Sequence, residues 1–190
     1  MSAEAAEALA SALAAVKKDL AWIYTTWSLQ GPTLEACTAL TAMAQEEAGH
    51  ARALLGVAGI ERRDHGIPCL ETMPETWPEL VGTAGMVELA VIDVVRALRD
   101  GANPSLSART AKMTVEEGFH ANLFHGWFPI LAADARAVSE RFAAAVRRTV
   151  PEIEKWLGGL DDLAVEAGVA APGELLAAAT PAPVETGPPA

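Results

Sequence analysis

Gln45-Glu46-Glu47-Ala48-Gly49-His50 and Val115-Glu116-Glu117-Gly118-Phe119-His120 carry the same pattern, Glu-Glu-x-x-His. Residues three apart on an α-helix lie on one face, so each stretch presents a carboxylate above an imidazole: Glu47 with His50, and Glu117 with His120. Iron and manganese accept this combination of ligands. Two such pairs on two helices are half of a di-metal carboxylate site built inside a helical bundle.

Hydrophobic periodicity predicts an all-α protein. Leu9, Leu13, Val16 and Leu20 recur at intervals of three and four, as on an amphipathic helix. Gly31-Pro32 stops the first helix. The predicted core helices span about 4–29, 33–57, 79–99 and 107–128, and weaker C-terminal helices span about 134–150, 152–156, 161–167 and 174–179. This pattern indicates a ferritin-like four-helix bundle with additional C-terminal helices.

The punctuation between helices divides the chain further. Glycine and prolines between residues 60 and 78 predict a long crossover connection between two helical hairpins. Pro129 is expected to kink or end the fourth helix. We expect one bundle domain over residues 1–179, followed by a disordered Pro/Ala-rich tail over 180–190.

Composition excludes several classes of protein. The chain has 190 residues, with 14 basic and 25 acidic side chains and a net charge of −11, which argues against nucleic-acid binding. Cys37 and Cys69 form neither a disulfide framework nor a zinc motif. The acidic N-terminus lacks the regions of a signal peptide, and no stretch is apolar enough to span a bilayer. The sequence therefore predicts a cytoplasmic protein.

A third carboxylate follows from symmetry within the second hairpin. The turn of this hairpin is centred near residue 102 or 103, and Glu117 lies about fifteen residues beyond it. The residue at equal height on the preceding helix is Glu88, which stands in an apolar run. A buried carboxylate needs a partner, so we expect Glu88 to be a ligand; the alternative is an exposed residue on the polar face.

The first hairpin places its carboxylate less clearly. The position level with Glu47 falls between residues 15 and 19. Lys17 and Lys18 do not bind a cation, whereas Asp19 does and borders an apolar face. We therefore expect Asp19 to be the sixth ligand, with a surface aspartate as the alternative.

The remaining polar residues of interest are weaker candidates. Glu46 and Glu116 face about 100° away from the ligands, which favours exposed charge over a role in supporting ligands or in an interface. His65 is expected in a solvated loop and His125 on the surface. Arg62 and Arg63 form a small basic pair that can contact phosphates.

The quoted runs, together with Gly31-Pro32-Thr33-Leu34 and Met43-Ala44 and Lys112-Met113-Thr114, resemble the phenylacetyl-CoA epoxidase family. These proteins are bacterial multicomponent di-iron oxygenases with a ferritin-like catalytic subunit. The resemblance spans roughly Asp19 to Trp127 and implies that Glu88, Glu117 and His120 occupy ligand positions. It places Asp19 at the first-helix position, where the family usually has glutamate, if the loop before Gly31 is shortened. The chain is shorter than that catalytic subunit.

The ligand set and the resemblance together predict a di-iron oxygenase. Each of two irons takes one histidine, Glu47 and Glu117 are the catalytic bridging carboxylates, and Asp19 and Glu88 are terminal; a Mn/Fe pair suits the same ligands. The expected partners are dioxygen, a small organic substrate such as an acyl-CoA thioester, an external reductase, and further subunits in a homo- or hetero-oligomer. No nucleic acid or membrane is expected.

Three alternatives to a di-iron oxygenase fit the same sequence. A ferritin- or rubrerythrin-like protein would bind iron or scavenge peroxide without an organic substrate. A non-catalytic structural subunit would keep the fold inside an oxygenase complex. A purely structural bundle would carry the motifs by coincidence.

Overall fold

The structure, a computed structural model, describes residues 2–58 and 66–179, in which helices are joined by turns and short loops and no strand occurs. The described elements are α1 (Ala3–Trp27), α2 (Leu34–Ala58), a short 3-10 helix (Pro68–Glu71), α3 (Trp77–Asp100), α4 (Pro104–Ala132), α5 (Arg136–Glu166) and α6 (Glu174–Ala179). The all-α prediction and the four predicted core helices are confirmed.

Local sequence sets where the core helices begin. The Ser2 hydroxyl accepts a hydrogen bond from Ala5 N at the start of α1. Asn103 caps α4 in the same way, and Glu79 reaches back to Thr76 N at 3.1 Å to cap α3. Each cap satisfies backbone N–H groups that have no partner inside the helix. These caps fix the register of the helices that carry the site.

The helices pack as two hairpins with α5 laid across them. The alanine-rich α1 packs closely along α2, and α3 packs along α4, while α5 covers α3 and part of α1. The connection between Ala58 and Trp77 joins the hairpins, as predicted. Arg62, Arg63 and His65, and the tail over 180–190, lie outside the described residues.

Two helices continue past a proline, α4 at Pro129 and α5 at Pro151. Pro129 was expected to kink or end α4, but the helix continues to Ala132. The predicted break before 152 is also wrong, because Pro151 lies within α5. Both prolines are on exposed faces, where water can bond the carbonyl groups that they leave without a donor. Packing of the neighbouring apolar side chains therefore outweighs the lost hydrogen bonds.

The core fills the space between the hairpins and α5. Tyr24, Phe124 and Phe142 are among the largest fully buried side chains, and the rings of Tyr24 and Phe124 lie 6.0 Å apart. Within the described ranges, no helix combines the length and apolar composition that a membrane span requires.

Candidate metal centre

Three helices bring a compact group of ligand-type side chains into the core. Glu47 from α2, Glu88 from α3 and Glu117 and His120 from α4 are all buried, and one donor atom of each lies within 4.8 Å of the others. Their convergence follows from the register of the hairpins, since Glu88 and Glu117 stand at equal heights on either side of the α3–α4 turn. Four of the six residues predicted from sequence therefore meet at one point.

His50 joins this group from α2, on the same helix face as Glu47. Its Nδ1 lies 2.9 Å from Glu117 Oε1 and 3.8 Å from Glu47 Oε2. Its Nε2 points outward and donates a hydrogen bond to Glu116 Oε2 at 2.9 Å. The ring thus presents one nitrogen to the carboxylates and anchors the other.

His120 repeats this arrangement on α4. Its Nδ1 lies 3.0 Å from Glu47 Oε1, and its Nε2 lies 2.7 Å from Glu46 Oε2. Each histidine is therefore oriented by the first glutamate of the other motif. The expectation that Glu46 and Glu116 are exposed charges is wrong: both are partly shielded and hold a histidine ring, as carboxylates around metal-binding histidines commonly do.

The first helix contributes a lysine where a carboxylate was expected. Lys17 is fully buried, and its Nζ donates a hydrogen bond to Glu47 Oε1 at 2.9 Å. The same nitrogen forms ion pairs with Glu117 Oε2 at 2.6 Å and with Glu88 Oε2 at 3.8 Å. A single ammonium group therefore contacts all three buried carboxylates.

Asp19 lies elsewhere. Two residues along a helix turn the side chain about 200° from Lys17. Asp19 is half-buried and lines a surface cavity of about 540 Å³ with Lys18, Trp22 and Glu71. The height argument identified the correct part of α1, but the residue at the site is Lys17.

Tyr24 also contacts the buried carboxylates of the centre, and the sequence did not predict it. Its hydroxyl donates a hydrogen bond to Glu88 Oε1 at 2.6 Å, and the side chain is fully buried. Tyr24 follows Lys17 by seven residues, two helical turns, so both lie on one face of α1. A lysine and a tyrosine at this spacing within an apolar stripe were the available signal.

Cationic side chains accompany the carboxylates of the centre. Burial alone would lower the pKa of Lys17, but Glu117, Glu47 and Glu88 outweigh it and raise the pKa above its ordinary value. Burial also opposes protonation of the histidines, yet their carboxylate partners raise the pKa of His50 to about 9 and that of His120 to about 11. Lys17, His50 and His120 are therefore protonated at neutral pH, and Glu46 and Glu116 contact the outer nitrogens of the two histidines.

The side-chain atoms of the centre are of the types that bind a metal ion. The buried oxygens of Glu117 meet cationic side chains, with Oε1 at 2.9 Å from His50 Nδ1 and Oε2 at 2.6 Å from Lys17 Nζ, while among the described residues Glu47 Oε2 and Glu88 Oε2 have only ion pairs at 3.8 Å. Carboxylate oxygens and an imidazole nitrogen are the ligands that iron or manganese takes. The residues from α2, α3 and α4 therefore fit a metal ion, whereas α1 supplies no carboxylate for a second one.

A cavity opens beside the centre between α2 and α4. It has a volume of about 390 Å³ and reaches His50 from the protein surface. Its lining mixes charges of both signs with apolar side chains, including Glu46, Arg109, Lys112 and Met113. It gives small molecules a path to the outer edge of the centre.

Comparisons with known proteins match this architecture. The family model described as phenylacetic acid catabolic protein matches residues 7–180, which include every residue of the centre. No curated protein matches the chain.

Proposed function

The chain belongs to the phenylacetic acid catabolic protein family, and we propose that it is an iron-dependent oxygenase component that inserts oxygen from dioxygen into a small organic substrate. The observation that carries this proposal is the buried group Glu47, Glu88, Glu117 and His120, whose ligand-type atoms converge from three helices to within 4.8 Å of one another. A protein core tolerates such a group when a cation joins it, because unpaired buried carboxylates are costly.

The residues have distinct roles in this proposal. Glu47, Glu117, Glu88 and His120 hold iron, and His50 completes the centre from the α2 side. Bound ferrous iron supplies the electrons that reduce dioxygen, and an external reductase replaces them because the sequence has no cysteine cluster of its own. Manganese suits the same ligands. The apolar core around Phe124 excludes water from the reaction.

The two-iron form predicted from sequence depends on position 17. A pair of irons in this fold normally takes one carboxylate from each of the two helices without a Glu-x-x-His motif. Here α3 supplies Glu88, whereas α1 supplies Lys17. The proposal therefore requires iron at the Glu47–His120 side of the centre.

The proposed substrate is a small organic molecule. Acyl-CoA thioesters remain the class implied by the resemblance, and the cavity beside His50 provides a route for a small substrate or for dioxygen. Its rim carries Arg109 and Lys112 beside Glu46 and Glu116, and Lys112 is paired with Glu116 at 2.7 Å, so the rim does not select for the charge of a substrate.

Association with other subunits is also proposed. Val115 and Phe119, one turn apart on α4, are exposed to 61% and 69%, whereas Phe124 and Phe128 are buried in the core. An exposed aromatic–aliphatic pair on one helix face supports contact with a second copy or a partner subunit. Sedimentation of the purified chain tests association with itself. Recovery of the chain from its host, with identification of any protein that accompanies it, tests association with a partner subunit.

A second candidate, a non-catalytic subunit of an oxygenase complex, is favoured by Lys17. A lysine that neutralises the carboxylates stabilises the bundle without metal. The two functions differ in iron content and in oxygen use.

One experiment separates these functions. The protein is loaded with ferrous iron under anaerobic conditions and desalted, and its iron content and dioxygen consumption with a chemical reductant are measured. We expect bound iron and dioxygen consumption in the native chain, loss of both in His120→Ala, and retention of both in His125→Ala, which changes an exposed histidine on the same helix. Native protein without bound iron would favour the non-catalytic subunit.

A further inference from the structure

The position of Lys17 defines how many metal ions the centre accepts. Its Nζ lies between Glu47 and Glu117, at 2.9 and 2.6 Å from one oxygen of each. These are the two carboxylates that would bridge a pair of metals. A second divalent cation in contact with the same oxygens would meet the ammonium group at close range.

Moving the Lys17 ammonium group away from the three carboxylates is unfavourable. The side chain has no exposure to solvent, and Leu13 and Leu20, one helical turn before and after Lys17 on α1, are also fully buried. Moving the ammonium group out of the carboxylates into that apolar surrounding would leave a buried charge unpaired, which is costly.

We propose that Lys17 takes the place of the second divalent cation, so that the native chain holds one metal ion in this centre and a carboxylate at position 17 admits a second. The inference rests on the proposed function in one respect, the binding of a metal by Glu47, Glu88, Glu117 and His120. It adds the residue that determines the metal count. The single positive charge of Lys17 also explains why the three carboxylates remain together without a full metal pair.

The test replaces Lys17 by a ligand. Lys17→Glu supplies the missing carboxylate on α1, and Lys18→Glu is the matched control, because the neighbouring lysine lines the surface cavity instead. Each protein is incubated anaerobically with excess Mn²⁺ or Fe²⁺ and desalted, and the metal bound per chain is measured by mass spectrometry. Circular dichroism establishes that each variant is folded.

The expected result is a doubling of the metal content in Lys17→Glu relative to the native chain, with Lys18→Glu unchanged. Two metal ions in the native chain, or a folded Lys17→Glu variant with no gain, would overturn the inference. A native chain without metal beside a variant with two would support the role of Lys17 but refute the proposed function. Absence of metal from both would refute both.

A second measurement applies to the native chain in case Lys17→Glu does not fold. Amine-reactive labelling followed by peptide mass spectrometry reports the exposure of Lys17 before and after metal loading. We expect Lys17 to stay protected in both states while Lys112, which is exposed, is labelled. Labelling of Lys17 on metal loading would show that the metal expels it and would overturn the inference.

Discussion

Lys17 Nζ donates a hydrogen bond to Glu47 Oε1 at 2.9 Å, and neither side chain is exposed to solvent. This pair joins α1 to α2 inside the bundle. Removing one partner of a buried ion pair leaves the other charge uncompensated, and here Glu117 and Glu88 share the same cation.

We therefore expect Lys17→Met to destabilise the metal-free protein by about 3–5 kcal/mol at neutral pH. Lys18→Met is expected to change stability by about 0.5 kcal/mol or less, because Lys18 is half-exposed. Urea unfolding monitored by circular dichroism measures both values. Equal stability of the two variants would show that the Lys17 pair does not stabilise the bundle.

The metal-free protein should lose stability as the pH rises above neutral. The pKa values of His50 and His120 are raised from 6.5 to about 9 and about 11 in the folded state. Their contribution is complete below pH 6.5, declines above it, and is gone once the pH has passed the folded-state values. Unfolding at pH 6, 8 and 10 tests this, with His125→Ala as a control that keeps the trend. Stability that stays constant or increases over this range would contradict the ion pairing of protonated His50 and His120 with the carboxylates.

Metal uptake should release protons and should strengthen with pH. His120 is protonated in the metal-free protein and must lose a proton to bind a metal ion. We expect the apparent Mn²⁺ affinity to rise between pH 6 and 8, with proton release measurable by an indicator dye during titration. Binding that is independent of pH would place the metal away from the histidine.

The outer glutamates should influence metal affinity without binding the metal. Glu116→Gln removes the charge that orients His50, and Glu46→Gln does the same for His120. Loss of such partners typically costs about 10–100-fold in metal affinity. The exposed Glu35, on the same helix as Glu46, provides the control substitution Glu35→Gln. Unchanged affinity in both outer variants would mean that the histidine rings are held by other contacts.

Cys69 should be a slow nucleophile. Burial and the nearby Glu152 carboxylate raise the pKa of its thiol to about 12. We expect alkylation by iodoacetamide to be slow at pH 8, to increase as the pH rises toward 12, and to be faster in Glu152→Gln. Glu154→Gln, an exposed neighbour on α5, should leave the rate unchanged. An equal rate in the native chain and Glu152→Gln would refute the electrostatic effect.

The sequence was sufficient for the helices and for most of the centre. Helical periodicity and caps are local properties, and equal rise per residue placed Glu88 opposite Glu117. The same argument gave residues 15–19 on α1 but selected Asp19, because a search for metal ligands passes over lysine. A lysine is nonetheless a suitable partner for carboxylates when it replaces a cation.

Other features depend on tertiary packing and could not be obtained from local pattern. Continuation of α4 through Pro129 and of α5 through Pro151 reflects which face of each helix meets water. The cross-pairing of Glu46 with His120, and of Glu116 with His50, requires the distance between α2 and α4, which sequence spacing does not contain.

The most direct measurement of the central claim is anomalous diffraction at the iron edge from crystals of anaerobically iron-loaded protein. We predict one peak in the centre, bordered by Glu47, Glu88, Glu117 and His120, with the Lys17 ammonium group still beside Glu47 and Glu117. The absence of a peak at this place would contradict metal binding by the centre, and two peaks would contradict the role of Lys17 as the second cation.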